Sequence, residues 1–356
     1  MLGFSVYLNK VLEKEEFNQI EKYAKAGFKG VFTSINLPED DPKNLLHNLA
    51  ELGQVCEANN LHLTLDISSE SMKRLNLSLD PEGFESLTDL HVDMLRIDDG
   101  ITNQQIAEVS KKLKLALNAS TIVESDVDEL IQYGADFDNL EAWHNYYPRV
   151  NTGLSNDWFY QKNQWLKQKG FTVMAFIPGD TNLRGPVHAG LPTLEDDRYN
   201  NPLSSAINMS RFDVDKVFLG DPVIKDETLH QFEEYYQNNV ILLHANILKN
   251  APSYITKVMH QRADVARDVV RLREGRPWNT VMIPPKNTVK RERGAITLDN
   301  SISGRYQGEL QLLKRDLPVD KTVNVIGQIS DDDIDLLDNC GANQAIKICE
   351  TEDGVS

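Results

Sequence analysis

Two aspartates are placed where neighbouring strands of a sheet would end. Asp66 lies near the end of the apolar segment His62–Ile67. Asp98 directly follows the apolar segment Met94–Ile97, and Arg96 shares a face with it because side chains alternate across a strand. Two carboxylates held close together push their pKa values apart, which suits a general acid paired with a base or nucleophile. For each aspartate, a role as a simple helix cap stays open.

Polar and aromatic residues are dense after two later apolar segments. Asn118 follows Leu113–Leu117 and offers a neutral amide for a sugar hydroxyl or an N-acetyl group, unless it only turns the chain. Carbohydrate sites combine aromatic faces with a few polar groups, so the loop after the sixth segment is predicted to bind substrate. Its candidate residues are His144, Asn145, Tyr147 and Arg149.

A long insertion follows the seventh apolar segment. It runs from Gly179 to Asp213, far longer than the usual connection between a strand and a helix. Long loops on the catalytic face of a barrel act as lids or clamps. We therefore predict that Arg184 contacts an anion or a hydroxyl group. Glu195 is predicted as a third catalytic carboxylate, with the alternative that it lies in the first turn of a helix running to Asn200.

Eight apolar segments supply the scaffold that these residues need. They alternate with amphipathic stretches, as expected for parallel β/α units. The predicted fold class is α/β, a TIM (β/α)8 barrel whose strands carry the site at their carboxyl ends. An open doubly wound sheet gives the same alternation, but no Gly-rich fingerprint follows the first segment. The segments are Leu2–Leu8, Gly30–Ile35, His62–Ile67, Met94–Ile97, Leu113–Leu117, Phe137–Ala142, Phe171–Ile177 and Lys216–Leu219.

The last third of the 356-residue chain has a different pattern. Its apolar segments are short and separated by turn residues, and only Arg262–Val270 and Asp331–Asp338 have a helical pattern. We predict a catalytic barrel over residues 1–240 and a smaller β-rich barrel over residues 241–356. The short segments are Trp278–Ile283, Ala295–Leu298, Glu309–Leu313, Val323–Ile329 and Ala345–Cys349.

The charge of the chain limits its partners. A formal net charge of −17 repels the phosphates of nucleic acids and anionic membranes, so neither is an expected partner. A cluster of basic residues contrasts with this negative charge. It is either a solvated loop or a site that binds an anionic substrate. The cluster consists of Lys286, Lys290, Arg291 and Arg293.

Cysteine usage and hydropathy indicate a soluble, cytoplasmic protein. Cys56, Cys340 and Cys349 lack the spacing of a disulfide framework or a zinc site. No apolar run reaches the roughly 20 residues of a membrane span, and the first residues lack the layout of a secretory signal.

Other enzyme classes on this fold are disfavoured. A Schiff-base aldolase needs a lysine at an inner strand end, whereas Lys114 and Lys216 lie near strand starts. Metal-dependent hydrolases bring several histidines, and only His144 follows a strand here, so we predict no metal and no cofactor. A metal site built from Asp66, Asp98 and His144 stays open.

Three pairs of residue strings are long enough to compare with known families. They are His144–Arg149 with Thr152–Ser155, Arg184–Pro186 with Gly190–Glu195, and Gly294–Asn300 with Tyr306–Gln311. These strings resemble those of the bacterial 6-phospho-N-acetylmuramidases, which have a barrel followed by a cyclophilin-like β domain. The resemblance implies intracellular hydrolysis of the β-1,4 bond between N-acetylmuramic acid 6-phosphate and N-acetylglucosamine, during recycling of cell-wall fragments. The alternatives are a non-catalytic phosphosugar-binding protein and a different phosphosugar-processing barrel enzyme.

The predicted carboxylates and the activity that the resemblance implies agree on one mechanism. Glycoside cleavage needs an acid and a second carboxylate, for which Asp66 and Asp98 are the first candidates. A phosphate and a lactyl carboxylate on the substrate require cationic contacts. Retention, inversion, attack by the substrate's own acetamido group and the oligomeric state all stay open. The cationic candidates are Arg149 and Arg184 on the barrel rim and Arg293 or Arg305 from the second domain.

Overall fold

Eight parallel strands close into a barrel in the computed structural model, which describes residues 1–8, 10–36 and 42–351. The strands are β1 (Leu2–Ser5), β2 (Gly30–Ser34), β3 (His62–Ile67), β4 (Met94–Ile97), β5 (Lys114–Asn118), β6 (Leu140–Trp143), β7 (Thr172–Ile177) and β8 (Lys216–Leu219). Each strand pairs with the next in sequence, and β8 returns to β1. The predicted TIM barrel is therefore confirmed, and every predicted segment overlaps a strand.

Helices connect the barrel strands, and two further helices follow β8. They are α1 (Lys14–Lys25), α2 (Pro42–Ala58), α3 (Ser69–Arg74), α4 (Pro81–Thr88), α5 (Asn103–Ser110), α6 (Glu124–Gln132), α7 (Asn156–Gln168), α8 (Pro202–Met209), α9 (Asp226–Asn238) and α10 (Gly275–Trp278). Local sequence sets their starts: Thr102 caps α5 by accepting from the backbone N–H of Gln105, and Asp80 caps α4 through Gly83.

Aromatic side chains fill the interior of the barrel. Phe32, Trp143 and Phe218 belong to one buried cluster. The ring of Phe218 lies against two strand backbones: a Cβ would lie 2.3 Å from it at Gly3 and 2.4 Å from it at Gly30. Both positions therefore require glycine. This packing fills the middle of the barrel, next to the polar side chains at the carboxyl ends of the strands.

The chain divides into two compact units, Met1–Asp226 and Glu227–Ser356. This border lies at the start of α9, and the border predicted from the sequence lies just after its end. In the part of the chain that the structure describes, no helix has the length and apolar character needed to cross a membrane.

The second unit contains a seven-stranded sheet. Its strands are β9 (Val240–Ile247), β10 (Met259–His260), β11 (Val269–Leu272), β12 (Ala295–Asp299), β13 (Leu310–Leu313), β14 (Val323–Ile329) and β15 (Ala345–Glu350). Their order is β10-β15-β9-β14-β12-β13-β11. A bridge between Gln261 and Leu272 joins the two outer strands, so the sheet is a nearly closed barrel, as predicted. Four of the five short apolar segments overlap strands, and Trp278–Ile283 does not.

One predicted helix of the second unit is wrong. Arg262–Val270 forms no helix; Val269 and Val270 instead begin β11, which pairs with β13. Branched valines fit a pleated strand, and ladder bonds outweigh a weak local preference for helix. The other predicted helix, Asp331–Asp338, is confirmed as the 3₁₀ helix Asp331–Asn339.

Candidate active site

Three neighbouring strands bring a row of polar side chains into the barrel. In the parallel register, Ser34 of β2 pairs with Asp66 of β3, and Asp66 pairs with Arg96 of β4. All three side chains are buried. Asp98 follows Arg96 by two residues, so alternation returns it to the same face. The strand register alone thus assembles the two carboxylates around one arginine.

Arg96 connects the polar groups of this row. Its Nη1 donates to Oδ1 of Asp66 at 2.5 Å and to Oδ1 of Asp98 at 3.1 Å. Its Nη2 donates to Oδ1 of Asn145, which follows β6. The second oxygen of Asp66 accepts from Ser34 Oγ and from Asn36 Nδ2, each at 2.9 Å. The guanidinium therefore fixes both carboxylates and one amide.

The two aspartates differ in their environment. The side chain of Asp66 is 10% exposed, and that of Asp98 is 39% exposed. Burial raises the pKa of Asp66, and the attraction of Arg96 acts against that rise. Asp98 has no other partner among the described residues, so its second oxygen is open to a ligand.

A cavity of about 220 Å³ lies over this network. Asp66, Arg96 and Asp98 form one wall with Asn145. Rings form the rest of the lining, which suits a sugar with both apolar and hydroxyl faces. They are the rings of Phe32, Tyr146, Tyr147 and Phe176.

His144 is buried behind the cavity. Its Nε2 lies 2.7 Å from Asn163 Oδ1 and its Nδ1 lies 3.2 Å from Ser120 Oγ. Ser120 Oγ in turn accepts from the hydroxyl of Tyr147 at 3.2 Å. Burial lowers the pKa of His144 to about 4, so the ring is neutral at neutral pH. Of the predicted residues in this loop, Asn145 and Tyr147 line the cavity, and His144 is linked to Tyr147 through Ser120.

Arg184 lies at the barrel mouth, in the loop after β7. Its guanidinium stacks over the ring of Tyr7 at 3.8 Å, and Tyr7 interacts with the hydroxyl of Tyr146, which lines the cavity. Buried Asp221, after β8, accepts from the backbone N–H groups of Arg184, Gly179 and Leu191, each at 2.9 Å. The long loop is therefore held in place at three points by one carboxylate.

Glu195 contacts Arg198 and the loop after β6. Its two oxygens accept from the Nε and Nη2 of Arg198 at 2.7 and 2.6 Å, and from the backbone N–H groups of Asn151 and Gly153. Bonding to Arg198 lowers the pKa of Glu195 to about 2. Glu195 begins a 3₁₀ helix that ends at Asp197, which resembles the alternative given above. These contacts favour a positioning role over a catalytic one.

The other predicted binding residues have the following contacts. Oδ1 of Asn118 accepts from the backbone N–H of Ser120 at 3.1 Å and turns the chain after β5. The side chain of Arg149 is exposed. In the second unit, Arg305 donates to the hydroxyl of Tyr306 at 2.9 Å.

The basic cluster of the second unit is largely paired within that unit. Arg293 contacts Asp335 and Asp338 at 3.2 and 3.0 Å. Lys290 contacts Asp316 at 3.1 Å. These contacts favour the interpretation of the cluster as a solvated loop over a role in binding an anionic substrate.

Metal ligands are not clustered in residues 1–8, 10–36 and 42–351. No group of three or more His, Cys, Asp or Glu side chains there has the geometry to hold an ion. The prediction of no metal and no cofactor stays a prediction.

Fold and site together define the class of the protein. It is a β/α-barrel enzyme with paired carboxylates at the carboxyl ends of its strands and a smaller β domain. Family models for the N-terminal and C-terminal parts of the 6-phospho-N-acetylmuramidases match residues 2–234 and 241–349. The chain therefore belongs to the 6-phospho-N-acetylmuramidase family. It is a glycosidase, and membership implies a phosphorylated sugar substrate.

Two solved structures are similar over the whole chain. A conserved protein of unknown function from a locus in Enterococcus faecalis is 39% identical, with 99% of this chain and 97% of that chain covered and a TM-score of 0.90. An uncharacterized B. cereus protein is 25% identical, with 98% and 99% covered and a TM-score of 0.74. A comparison with curated proteins found no match.

Proposed function

We propose that the protein hydrolyses the β-1,4 bond between N-acetylmuramic acid 6-phosphate and N-acetylglucosamine, in the cytoplasm, during recycling of cell-wall fragments. The observation that carries this proposal is the pair Asp66 and Asp98, bound to one nitrogen of Arg96 at the wall of a cavity lined by rings. Glycoside cleavage needs two carboxyl groups that flank the scissile bond. Family membership supports the substrate class, and the two carboxylates at the cavity support cleavage of a glycosidic bond.

Asp98 is the carboxylate that we assign to direct contact with the sugar. Its side chain is the more exposed of the two, and one oxygen is left open by Arg96. Asp66 serves as the second carboxylate, and its bonds to Ser34, Asn36 and Arg96 hold it in a single orientation. Arg96 balances the charge of the pair when both groups are ionised.

Arg184 is the residue that we assign to an anionic substituent of the substrate. Its guanidinium lies beside Tyr7, next to the aromatic wall of the cavity. A planar guanidinium suits phosphate and carboxylate groups, and Asp221 fixes the backbone that carries it. We therefore expect the 6-phosphate to improve catalysis.

The spacing of the carboxylates supports hydrolysis with retention of configuration. One oxygen of each aspartate bonds the same nitrogen, at 2.5 and 3.1 Å, so these two oxygens cannot be farther apart than the sum of those distances. Retaining enzymes have carboxyl groups about 5–5.5 Å apart, and inverting enzymes leave roughly 6.5–9.5 Å for a water. A covalent intermediate and attack by the substrate's acetamido group both retain. NMR of the first product formed is expected to show the β anomer, and the α anomer would contradict this geometry.

Release of a chromophore from a 6-phosphomuramide tests the proposed reaction. We expect the wild type to release it, and Asp98→Asn to lower kcat by about 10²–10⁴-fold because a reacting carboxylate is lost. Asp99→Asn is the matched control, since Asp99 is an exposed neighbour and is expected to keep the wild-type rate. The same compound without its phosphate is expected to react more slowly. Equal rates for Asp98→Asn and the wild type would refute the assignment.

A further inference from the structure

A backbone carbonyl determines which ring nitrogen of His144 donates a hydrogen bond and which one accepts. Asn163 Nδ2 donates to the carbonyl oxygen of Phe212 at 2.7 Å, so Oδ1 is the atom that faces His144 Nε2. An amide oxygen only accepts, and therefore Nε2 carries the ring proton. Since the neutral ring has one proton, Nδ1 is an acceptor.

Ser120 transmits this polarity to Tyr147. Its hydroxyl has one proton, which it donates to His144 Nδ1 at 3.2 Å. Towards Tyr147, Ser120 Oγ is therefore an acceptor, and the Tyr147 proton is used in that bond. The Tyr147 oxygen thus presents only lone pairs to the cavity that it lines.

Asn145 offers hydrogen-bond donors to the same cavity, whereas Tyr147 offers an acceptor. Arg96 has donors only, so the oxygen of the Asn145 side chain must face it. Nδ2 of Asn145 has no hydrogen-bond partner among the described residues. Asn145 therefore offers N–H groups to a ligand, close along the chain to the acceptor on Tyr147.

We infer that Asn145 and Tyr147 together recognise a secondary amide on the sugar: Asn145 donates to its carbonyl oxygen, and Tyr147 accepts from its N–H. The rings of Phe32, Tyr146 and Phe176 supply an apolar wall for the acyl methyl group. A hydroxyl group also donates and accepts, but it makes no use of that wall. The inference rests on the proposed function, because an acetamido sugar is the substrate there.

Ser120, His144 and Asn163 are positioning residues in this inference. None of them lines the cavity. Their effect on the reaction passes through the hydroxyl of Tyr147, whose proton they hold away from the substrate. The amide preference of the enzyme therefore depends on residues that do not touch the sugar.

Two matched substrates test the inference. One is the chromogenic 6-phosphosugar with its 2-acetamido group, and the other carries a 2-O-acetyl ester, which keeps the carbonyl and methyl groups and lacks the N–H. We expect Tyr147→Phe to lower kcat/KM for the amide by about tenfold, the value of one hydrogen bond, and to leave the ester unchanged. Ser120→Ala is expected to reduce the same preference, because the Tyr147 proton is freed to face the cavity.

Tyr160→Phe is the matched control, since it also removes a tyrosine hydroxyl but lies exposed on α7. An equal loss on both substrates in Tyr147→Phe would overturn the inference, because it would show only a packing role. Dissociation constants of the amide and ester monosaccharides, measured on the Asp98→Asn variant, separate the two proposals. If no variant or wild type hydrolyses either sugar, the proposed function fails, while an amide preference in binding that Tyr147→Phe abolishes still supports the inference.

Discussion

Arg96 determines how the individual residues of the site depend on one another. It is a buried cation whose charge is balanced by Asp66 and Asp98, and its second nitrogen holds Asn145. Taking charges out of water is costly unless they are paired and hydrogen-bonded. The buried aspartate therefore contributes to folding as well as to chemistry, and the exposed one contributes mainly to chemistry.

Asp66→Asn and Asp98→Asn are expected to differ in stability. In Asp66→Asn, the new amide NH₂ faces either Arg96 or the donors of Ser34 and Asn36, and Arg96 loses its main counterion. Breaking a buried ion pair in this way costs about 3–5 kcal/mol. Asp98→Asn leaves that pair intact and is expected to cost less than about 1 kcal/mol. Urea denaturation measures both, and equal stabilities of the two variants would contradict the assignment of distinct roles.

Sequence patterns predict which residues group together at the centre of the candidate site, and they do not predict the residues that support this group. Alternation along two strands was sufficient to place Asp66, Arg96 and Asp98 on one face. The same argument, applied to the end of β2, would have found Ser34. Asn163 gave no signal, since an asparagine on an amphipathic helix has no special spacing. Its role depends on a contact with a histidine that only the folded chain brings close.

At the scale of elements, two loops after neighbouring strands act as one structure. Buried Arg198 donates to the backbone carbonyl oxygens of Tyr147 and Gly190, and Glu195 holds its guanidinium. Thr193 donates to the carbonyl oxygen of Asn145 at 2.9 Å. The loops after β6 and β7 are therefore joined where they carry the amide and hydroxyl groups of the cavity.

Glu195→Gln tests whether this carboxylate supports the loops or reacts. A pKa of about 2 keeps Glu195 ionised at neutral and mildly acidic pH, so it has no proton to donate. We expect the variant to lose about 1–3 kcal/mol of unfolding free energy, because the amide cannot accept all the bonds that the carboxylate accepts. Its kcat is expected to fall much less than that of Asp98→Asn. The control Asp196→Asn changes an exposed neighbour and should preserve both values.

A different result for Glu195→Gln would support the predicted catalytic role of Glu195. A fall in kcat of about 10²–10⁴-fold with unchanged unfolding free energy is what a reacting carboxylate would give. The sequence alone does not distinguish a catalytic role of Glu195 from a supporting one. The residue that distinguishes them, Arg198, lies in an irregular loop, where the spacing of residues does not indicate which way a side chain points. The strands were predictable for the converse reason: buried parallel strands leave continuous apolar segments.

At the scale of the whole molecule, each of the two units contains a histidine with a shifted pKa, and the two shifts have opposite directions. In the first unit, burial lowers the pKa of His144 from 6.5 to about 4. In the second unit, the hydrogen bond from Nδ1 of His244 to Asp333, at 2.8 Å, raises the pKa of His244 above 6.5. Glu227 and Asp332 act in the same direction on His244. The units should therefore respond to pH in different ranges.

His144 is expected to make the first unit less stable in acid. Between pH 6.5 and about 4, the unfolded chain binds a proton at this residue and the folded chain does not, so stability is lost as pH falls. The loss amounts to about 3 kcal/mol across the interval. The variant His144→Gln should lack this loss of stability in acid, and the rest of its pH profile of stability should match that of the wild type. Calorimetry that resolves one transition for each unit measures it, and parallel profiles for wild type and variant would contradict the assignment.

His244 is expected to act in the reverse sense on the second unit. Its folded pKa is raised, so its contribution is fully present below pH 6.5 and is lost as pH rises through the folded value. Asp333 is buried and also accepts from Gln231 at 2.8 Å, so it is expected to stay in place when His244 loses its proton. His244→Gln should flatten the alkaline side of the second transition and leave the first transition unchanged. The matched control is His230→Gln, an exposed histidine on α9, which should leave both profiles as in the wild type. A second transition that keeps its alkaline slope in His244→Gln would show that the slope arises from other groups.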